Sequence, residues 1–529
     1  MKYVRGGIRL LAVDEAHCIS EWGHAFRPDY LKISRFVDEI RAERVVCLTA
    51  TATPRVAKDI CDAFGIDNDG LFRTSTYRPN LKLLAESAPT KQALYPKLFA
   101  FLRKNRGASI VYVTLQKQTE QLAKDLCGQG FKAKPFHAGM DTVTKTKLQD
   151  EFMTRDDLII VATIAFGMGI DKASIRNVVH FNIPSSLESY SQEIGRAGRD
   201  GKTSNCMFYV CGEDLHLREL FARGDLPAKE SIRGLLTEVF DSETTRLPMG
   251  AQYKANHASQ TKDFDMRPTT LKNIYAQMEL RHDLLRETTP IYTKYQYSVS
   301  SRYLSVVASD TSPAAKAVKN YAKKASKYYH IDIDMASHRL GIPRTDVVKK
   351  LNSWNEEKII ELKPSGVVNV YRILNPLPKT SDEIEKLVTD IYSLMESREQ
   401  QALDRTDEVL QLVTSNACFS RQLSQHFGDD LPDKKEECGH CTWCMTHQVV
   451  VLQKAPPVSF NKTAFNAILT KVPDRDDARM LAKMAFGISS PRITALKMGK
   501  DPLFGSMGDH EFMHLLRSFA TVCSKSNQQ

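Results

Sequence analysis

Asp14-Glu15-Ala16-His17 follows the short apolar run Ile8–Val13. Hydrolytic phosphoryl transfer needs a magnesium ligand and a group that polarises the attacking water. Two adjacent carboxylates at the end of a buried strand can divide those tasks, with Asp14 on Mg²⁺ and Glu15 on the water. The same tetrapeptide standing alone is also an ordinary exposed acidic turn. A second constellation is Cys418 with Cys438-x-x-Cys441-x-x-Cys444. Four converging thiolates hold Zn²⁺ tetrahedrally. An iron–sulfur cluster is the alternative, although the ferredoxin pattern places its fourth cysteine three residues downstream and follows it with proline. Buried free thiols are a third reading, and His426, His440 and His447 are either substitute ligands or bystanders. A third feature is Lys316, Lys319, Lys323, Lys324 and Lys327, spaced as one face of a helix. Such a face attracts a phosphate backbone, or is simply solvated.

These residues need elements to position them. The first two hundred residues alternate apolar runs (Ile8–Val13, Arg44–Leu48, Ser109–Val113, Leu158–Ala162, Val178–Phe181) with helical stretches such as Lys117–Leu126. That alternation predicts a parallel sheet, with ligands at the carboxyl ends of its strands. Asp241–Asp263 reads as a linker. Arg267–Glu279 reads as a helix and Ile291–Val299 as a strand. A helix over Ala314–Tyr329, helices over Met335–Leu340 and Arg344–Glu357 around Gly341-Ile342-Pro343, and a hairpin turning at Pro364-Ser365-Gly366 have the order of a winged helix. Thr380 with Glu383 forms a capping box for a long helix that leads toward Cys418.

Further motifs surround the acidic pair. DEAHCISEWGHAFRPDY (14–30), LTATAT (48–53), FHAGM (136–140) and the stretch Val161–Gly201, which contains Q-x-x-G-R-x-G-R, together resemble the superfamily-two helicases of the RecQ family. The late cysteine cluster resembles that family's zinc subdomain, and the downstream layout resembles the branch containing the fourth human RecQ-type helicase. The resemblance implies a RecA-like α/β core, ATP and Mg²⁺ as well as Zn²⁺, and DNA as partner, single-stranded and at branched or duplex junctions. It implies that Asp14 and Glu15 are catalytic and that Arg196 and Arg199 reach the γ-phosphate as arginine fingers. Gln192 would line the cleft, while His17, Thr49 and Thr51 would couple it to DNA. Trp22, Phe26 and Arg27 would lie in a loop that senses single strand, the rings stacking on bases and the guanidinium pairing with phosphate. Core packing is the other reading of the two rings, and a surface ion pair the other reading of Arg199. Glu21 stands where the family pattern has Gln.

At 529 residues the chain predicts three or four domains. The expected boundaries are a remnant first helicase lobe (1–76), a second lobe (77–212), a connector (213–262), winged-helix-like units (263–307 and 314–374), a long helix with a zinc module (380–447) and a helical C-terminal region (458–529). With 42% hydrophobic and 26% charged residues the composition is globular, not disordered or collagenous. No run of 18 apolar residues suggests a membrane span. Eleven cysteines, four of them within 418–444, fit a reduced compartment better than a disulfide framework. A net charge of +10 permits a polyanionic partner. One motif is missing: the sequence has no G-x-x-x-x-G-K followed by Ser or Thr, the loop that cradles phosphates. The expectation is that the first lobe is a remnant with an open sheet edge, the chain being a fragment, a truncated gene model or the product of a decayed gene. The sequence therefore predicts an ATP-dependent 3′–5′ DNA helicase of recombination, repair or replication, nuclear or, in a prokaryote, cytoplasmic. The alternative is a non-catalytic nucleic-acid-binding protein.

Overall fold

The computed structural model describes residues 8–20, 27–167, 169–454, 456 and 458–526. Two compact units divide the chain, one formed by 1–228 with 392–529 and the other by 229–391.

The first unit opens with β1 (Leu10–Val13), α1 (Pro28–Ile40), β2 (Arg44–Cys47) and α2 (Pro54–Phe64). β1 and β2 pair in parallel. Pro54 at the first helical position, the Thr53 side chain accepting from the Val56 amide, and Gly65 at φ 63° bound α2. The small sheet leaves Leu10, Val46 and Leu48 between 41% and 55% exposed.

The second lobe contains β3 (Leu81–Ala88), α3 (Lys91–Lys104), β4 (Ser109–Tyr112), α4 (Gln116–Gly128), β5 (Ala133–Phe136), α5 (Thr142–Thr154), β6 (Ile159–Ala162), β7 (Asn177–His180), α6 (Leu187–Ile194), β8 (Ser204–Cys211) and α7 (Glu213–Ala222). Its sheet has the order β3-β8-β7-β4-β6-β5, parallel throughout. Every residue of β4, β6 and β7 is buried, as strands covered on both faces must be. Sequence patterning missed β3, β5 and β8.

The second unit begins with α8 (Lys229–Val239), β9 (Gln252–Ala255), α9 (His257–Asp263) and α10 (Pro268–Leu280). Then come β10 (Leu285–Glu287), β11 (Ile291–Val299), α11 (Tyr303–Ser309), α12 (Pro313–Tyr321), β12 (Lys323–Ala325), β13 (Tyr328–Ile331), α13 (Ile333–Leu340), α14 (Arg344–Glu356) and β14 (Ile360–Ile373). Helix, Gly341 turn and helix lie where the sequence placed them. Four expectations change. The expected linker carries β9 and α9, and β9 pairs with β14. The two winged-helix segments share one antiparallel sheet, because β11 pairs with both β13 and β14. Pro364-Ser365-Gly366 does not turn: β14 runs straight through it, with Pro364 opposite Tyr295. Among the described residues that stretch of β14 is paired with β11 alone and so is an edge, the place in a sheet where proline is tolerated. The helix expected to reach Tyr329 stops at Tyr321. Lys323–Ala325 folds back on Tyr328–His330 through Ser326 at φ 56°, and aromatic side chains favour that strand pairing.

The 34-residue α15 (Ser381–Thr414) starts at the expected box: the Thr380 amide donates to Glu383 Oε2 (3.0 Å) and the Glu383 amide to Thr380 Oγ1 (3.3 Å). α16 (Phe419–His426) and α17 (Thr442–Thr446) follow. The chain ends in α18 (Lys462–Lys471), α19 (Ala478–Phe486), α20 (Pro491–Ala495) and α21 (Phe512–Ser526). Ile468, Leu481, Phe486, Phe512 and Phe519 form the core of this helical block. No described helix is long and apolar enough to cross a membrane.

A buried ionic clamp fixes the block within its unit. Glu399 of α15 accepts from Arg223 Nη1 at 3.0 Å and from Arg479 of α19. Both guanidinium groups lie over the Phe512 ring, at 4.8 and 5.4 Å. Removing one partner of a buried pair strands the other's charge, a loss of about 3–5 kcal/mol. Glu399→Ala is therefore expected to lower unfolding stability by that amount, measured by chemical denaturation. A loss below about 1 kcal/mol, the scale of an exposed pair, would contradict the clamp.

Candidate nucleotide cleft and metal centre

The DEAH residues leave the carboxyl end of β1, and Thr49 and Thr51 that of β2, as parallel-sheet ligand sites require. The chain turns at Glu15 in the left-handed region, φ 50° and ψ 42°, a conformation that non-glycine residues hold mainly where surrounding structure enforces it. Asp14 is exposed, and its Oδ1 accepts from the Glu15 amide at 2.8 Å. His17 is buried; its Nδ1 lies 2.9 Å from Thr49 Oγ1 and 3.3 Å from Glu15 Oε2. Burial lowers the His17 pKa, and the nearby Glu15 partly opposes it. The Thr51 amide donates to Thr49 Oγ1 at 3.3 Å, so His17, Thr49 and Thr51 form one chain of contacts.

The second lobe supplies the opposite wall. Gln192 of α6 points Nε2 at Glu15 Oε1, 3.5 Å away. Arg196 donates to the Gly167 carbonyl. A Cβ at Gly167 would sit 2.3 Å from that guanidinium, so a larger residue would make the Arg196 side chain shift. Arg199 pairs with Asp171 at 2.6 Å. Glu15, Thr51, Gln192, Arg196 and Arg199 all line one cleft of about 530 Å³. The arrangement sets a carboxylate on one wall against two guanidinium groups on the other, and guanidinium groups suit a phosphate or another polyanion. The cleft also includes Arg78, Gly167 and Asp171, to which no role had been given, and Ser420, Leu423 and Ser424 of α16. Gly167 and Asp171 sit inside the Val161–Gly201 motif stretch; no spacing pattern marks Arg78 or the α16 residues.

Cys418, Cys438, Cys441 and Cys444 converge, their sulfurs all within 4.8 Å of one another. Cys418 caps α16 instead of ending the long helix, which stops at Thr414. Cys444 Sγ lies 3.9 Å from Cys438 Sγ and 3.4 Å from Cys441 Sγ. A zinc–sulfur bond of about 2.3 Å gives a tetrahedral edge of about 3.8 Å, so four thiolates around one ion fit. Hydrogen bonding, first with Cys418 and then with Cys441, holds the Cys438 thiol well below its ordinary pKa, favouring a thiolate. None of the three histidines is among the four converging groups: His426 pairs with Glu188 at 2.9 Å, His440 lies beside Cys438 and meets Tyr77 at 3.3 Å, and His447 pairs with Glu437 at 3.8 Å.

The DNA candidates do not assemble as expected. Trp22 and Phe26 lie outside the described residues. Arg27 is exposed just before α1. All five lysines are exposed, but they do not share a helix face. Lys316 and Lys319 are on α12, Lys323 and Lys324 on β12, and Lys327 in the turn. Lys324 lies over the Tyr329 ring and Lys327 over the Tyr328 ring, each 5.8 Å from the centroid.

Because structural zinc binding is folding energy, the purified protein is expected to carry about one equivalent of zinc, and Cys441→Ser to lose both the metal and the cooperative unfolding of the first unit. Elemental analysis with thermal denaturation checks this; iron, or a metal-free folded sample, would refute it.

Three family profiles match the chain: DEAD/DEAH box helicase over residues 3–60, Helicase conserved C-terminal domain over 90–201, and RecQ zinc-binding over 381–445. ATP-dependent DNA helicase Q-like 5 of Arabidopsis thaliana is 28% identical across 97% of this chain and 56% of its own length. ATP-dependent DNA helicase Q5 of Rattus norvegicus is 39% identical across 44% of this chain and 25% of its own length. ATP-dependent DNA helicase hus2/rqh1 of Schizosaccharomyces pombe is 40% identical across 45% of this chain and 18% of its own length. The chain thus spans from under a fifth to a little over half of these relatives. Their names favour the Q5 branch over the fourth-type branch that the downstream layout suggested. Among solved structures, S. cerevisiae Dbp5 bound to RNA and ADP BeF3 aligns at 21% identity and TM-score 0.33, over 39% of this chain and 54% of that one. The DEAH loop, the second helicase lobe and the four-cysteine module all carry matching signatures, and in each of them the chain is similar to helicases of the RecQ family.

Proposed function

We propose that this chain provides the nucleotide cleft and DNA-contacting surfaces of an ATP-dependent 3′–5′ DNA helicase acting in recombination, repair or replication, in the nucleus. The observation that carries the reading is the approach of Gln192 to Glu15 at 3.5 Å in a cleft that Arg196 and Arg199 also line. In this reading ATP occupies the cleft, with Mg²⁺ on Asp14. Glu15 takes the proton of the attacking water, while Arg196 and Arg199 stabilise charge on the γ-phosphate. Each arginine is positioned by its own lobe until nucleotide arrives, Arg196 by the Gly167 carbonyl and Arg199 by Asp171. An arginine finger contributes on the order of 10³–10⁵ in rate. His17, Thr49 and Thr51, in contact with one another, couple the cleft to the loop that the sequence predicts at 21–26. That loop and Arg27 take single-stranded DNA, and the β12–β13 lysines take duplex or junction phosphates. The direction of travel and the pathway come from the family resemblance.

A second reading, a DNA-binding protein without ATPase, is favoured by one observation: the sequence contains no phosphate-cradling loop motif. DNA-stimulated ATP hydrolysis by residues 1–529 separates the two. Hydrolysis that Glu15→Gln abolishes, with DNA affinity retained, supports the enzyme. DNA binding without hydrolysis supports the second reading.

Both readings predict salt-dependent DNA affinity. Each phosphate contact contributes about 0.7–0.9 to the log–log salt slope. Replacing Lys323, Lys324 and Lys327 with Ala is expected to flatten the slope by up to about 2–3, measured by fluorescence anisotropy on a forked duplex. An unchanged slope would leave the hairpin merely solvated.

A further inference from the structure

Glu188 and Gln192 stand four residues apart on α6 and therefore share one helix face. Gln192 meets Glu15 from that face. Glu188 is 6% exposed, and its charge acts on His17 of the DEAH loop. Two successive turns of α6 thus address motif residues of the first lobe. On its other side Glu188 receives His426, the last residue of α16, with Nε2 to Oε1 at 2.9 Å. Arg405 and Glu408 of α15 also lie within electrostatic reach of Glu188. α16 begins at Cys418, one of the four metal-site sulfurs. Its Phe419, Leu423 and Phe427 join the same core as Leu187, Tyr190 and Ile194 of α6. Glu188 lies inside the Val161–Gly201 motif stretch, where the sequence assigns it no role, and the sequence marks His426 only as a neighbour of the cysteine cluster.

We propose that His426 is a positioning residue of the nucleotide cleft: by gripping Glu188 it holds the face of α6 that presents Gln192 to Glu15, and so ties cleft geometry to the zinc module. The inference rests on the cleft reading above for its functional meaning, but the contact can be tested without nucleotide or DNA.

Amide hydrogen exchange of residues 1–529, with zinc content measured on the same samples, decides it. A hydrogen bond to a buried carboxylate is strong enough that His426→Ala should speed exchange across α6 by about tenfold. Zinc should stay at one equivalent, and α3 and α4, which pack in the separate core on the other face of the sheet, should be unaffected. His426→Gln keeps an N–H that can donate to Glu188 and should restore most of the protection. Glu188→Ala, which removes the other partner, should reproduce the α6 signature. Unchanged α6 exchange in either alanine variant overturns the proposal. So does a loss of protection that spreads through the whole lobe with loss of zinc, or one that His426→Gln fails to restore. Because ATP hydrolysis is not the readout, failure here and failure of the enzymatic reading are separate results.

Discussion

One continuous apolar core joins the parallel sheet of the second lobe to the four-cysteine module. Leu83 of β3, Tyr190 of α6 and Cys206 of β8 share it with Cys418, Phe419, Leu423 and Cys441. The Ala85 amide at the sheet edge donates to Thr442 Oγ1 at 2.9 Å, which fixes the knuckle against β3. Interiors are packed as closely as organic crystals, so an element that shares a core cannot drift independently of it. The metal site, the sheet and α6 therefore behave as one solid within the first unit. Wherever that solid presents α16 to the cleft, the metal's binding energy also supports the wall of the cleft.

Within that solid the charges have a definite logic. The arginines that line the cleft are compensated locally, Arg196 by a backbone carbonyl and Arg199 by Asp171. The carboxylates facing them come from the DEAH loop. Arg199 is thus ion-paired, and Arg196 held by a carbonyl, within their own wall, where a polyanion would offer phosphate oxygens in place of those partners. At the C-terminal block the charges are instead buried together: Glu399 takes both Arg223 and Arg479, and Arg223 also pairs with Glu219.

Much of this architecture was legible in the sequence where chemistry constrains spacing. The DEAH loop, the Q-x-x-G-R-x-G-R stretch and the cysteine triplet each need particular residues at particular intervals, and each converges as its spacing implied. Periodicity alone served less well. Leu81–Ala88 is rich in helix formers, yet burial between β8 and the zinc module makes it a strand, a tertiary override of propensity. Ala133–Phe136 contains a proline and is tolerated because β5 is the edge of the sheet. The lysine spacing fits a helix face by coincidence; the tyrosines that follow decide for a hairpin. The Glu188–His426 contact spans 238 residues and has no local signature at all.

Gly167 has a consequence for reading other chains. Its hydrogen side chain makes room for the Arg196 guanidinium, and the nearest approach of an added Cβ would be 2.3 Å, inside any permissible contact. Any larger residue at this place evicts the arginine from its perch. A single letter in a relative can therefore mark a cleft in which this guanidinium has moved off the carbonyl, even where both arginines are still written in the sequence.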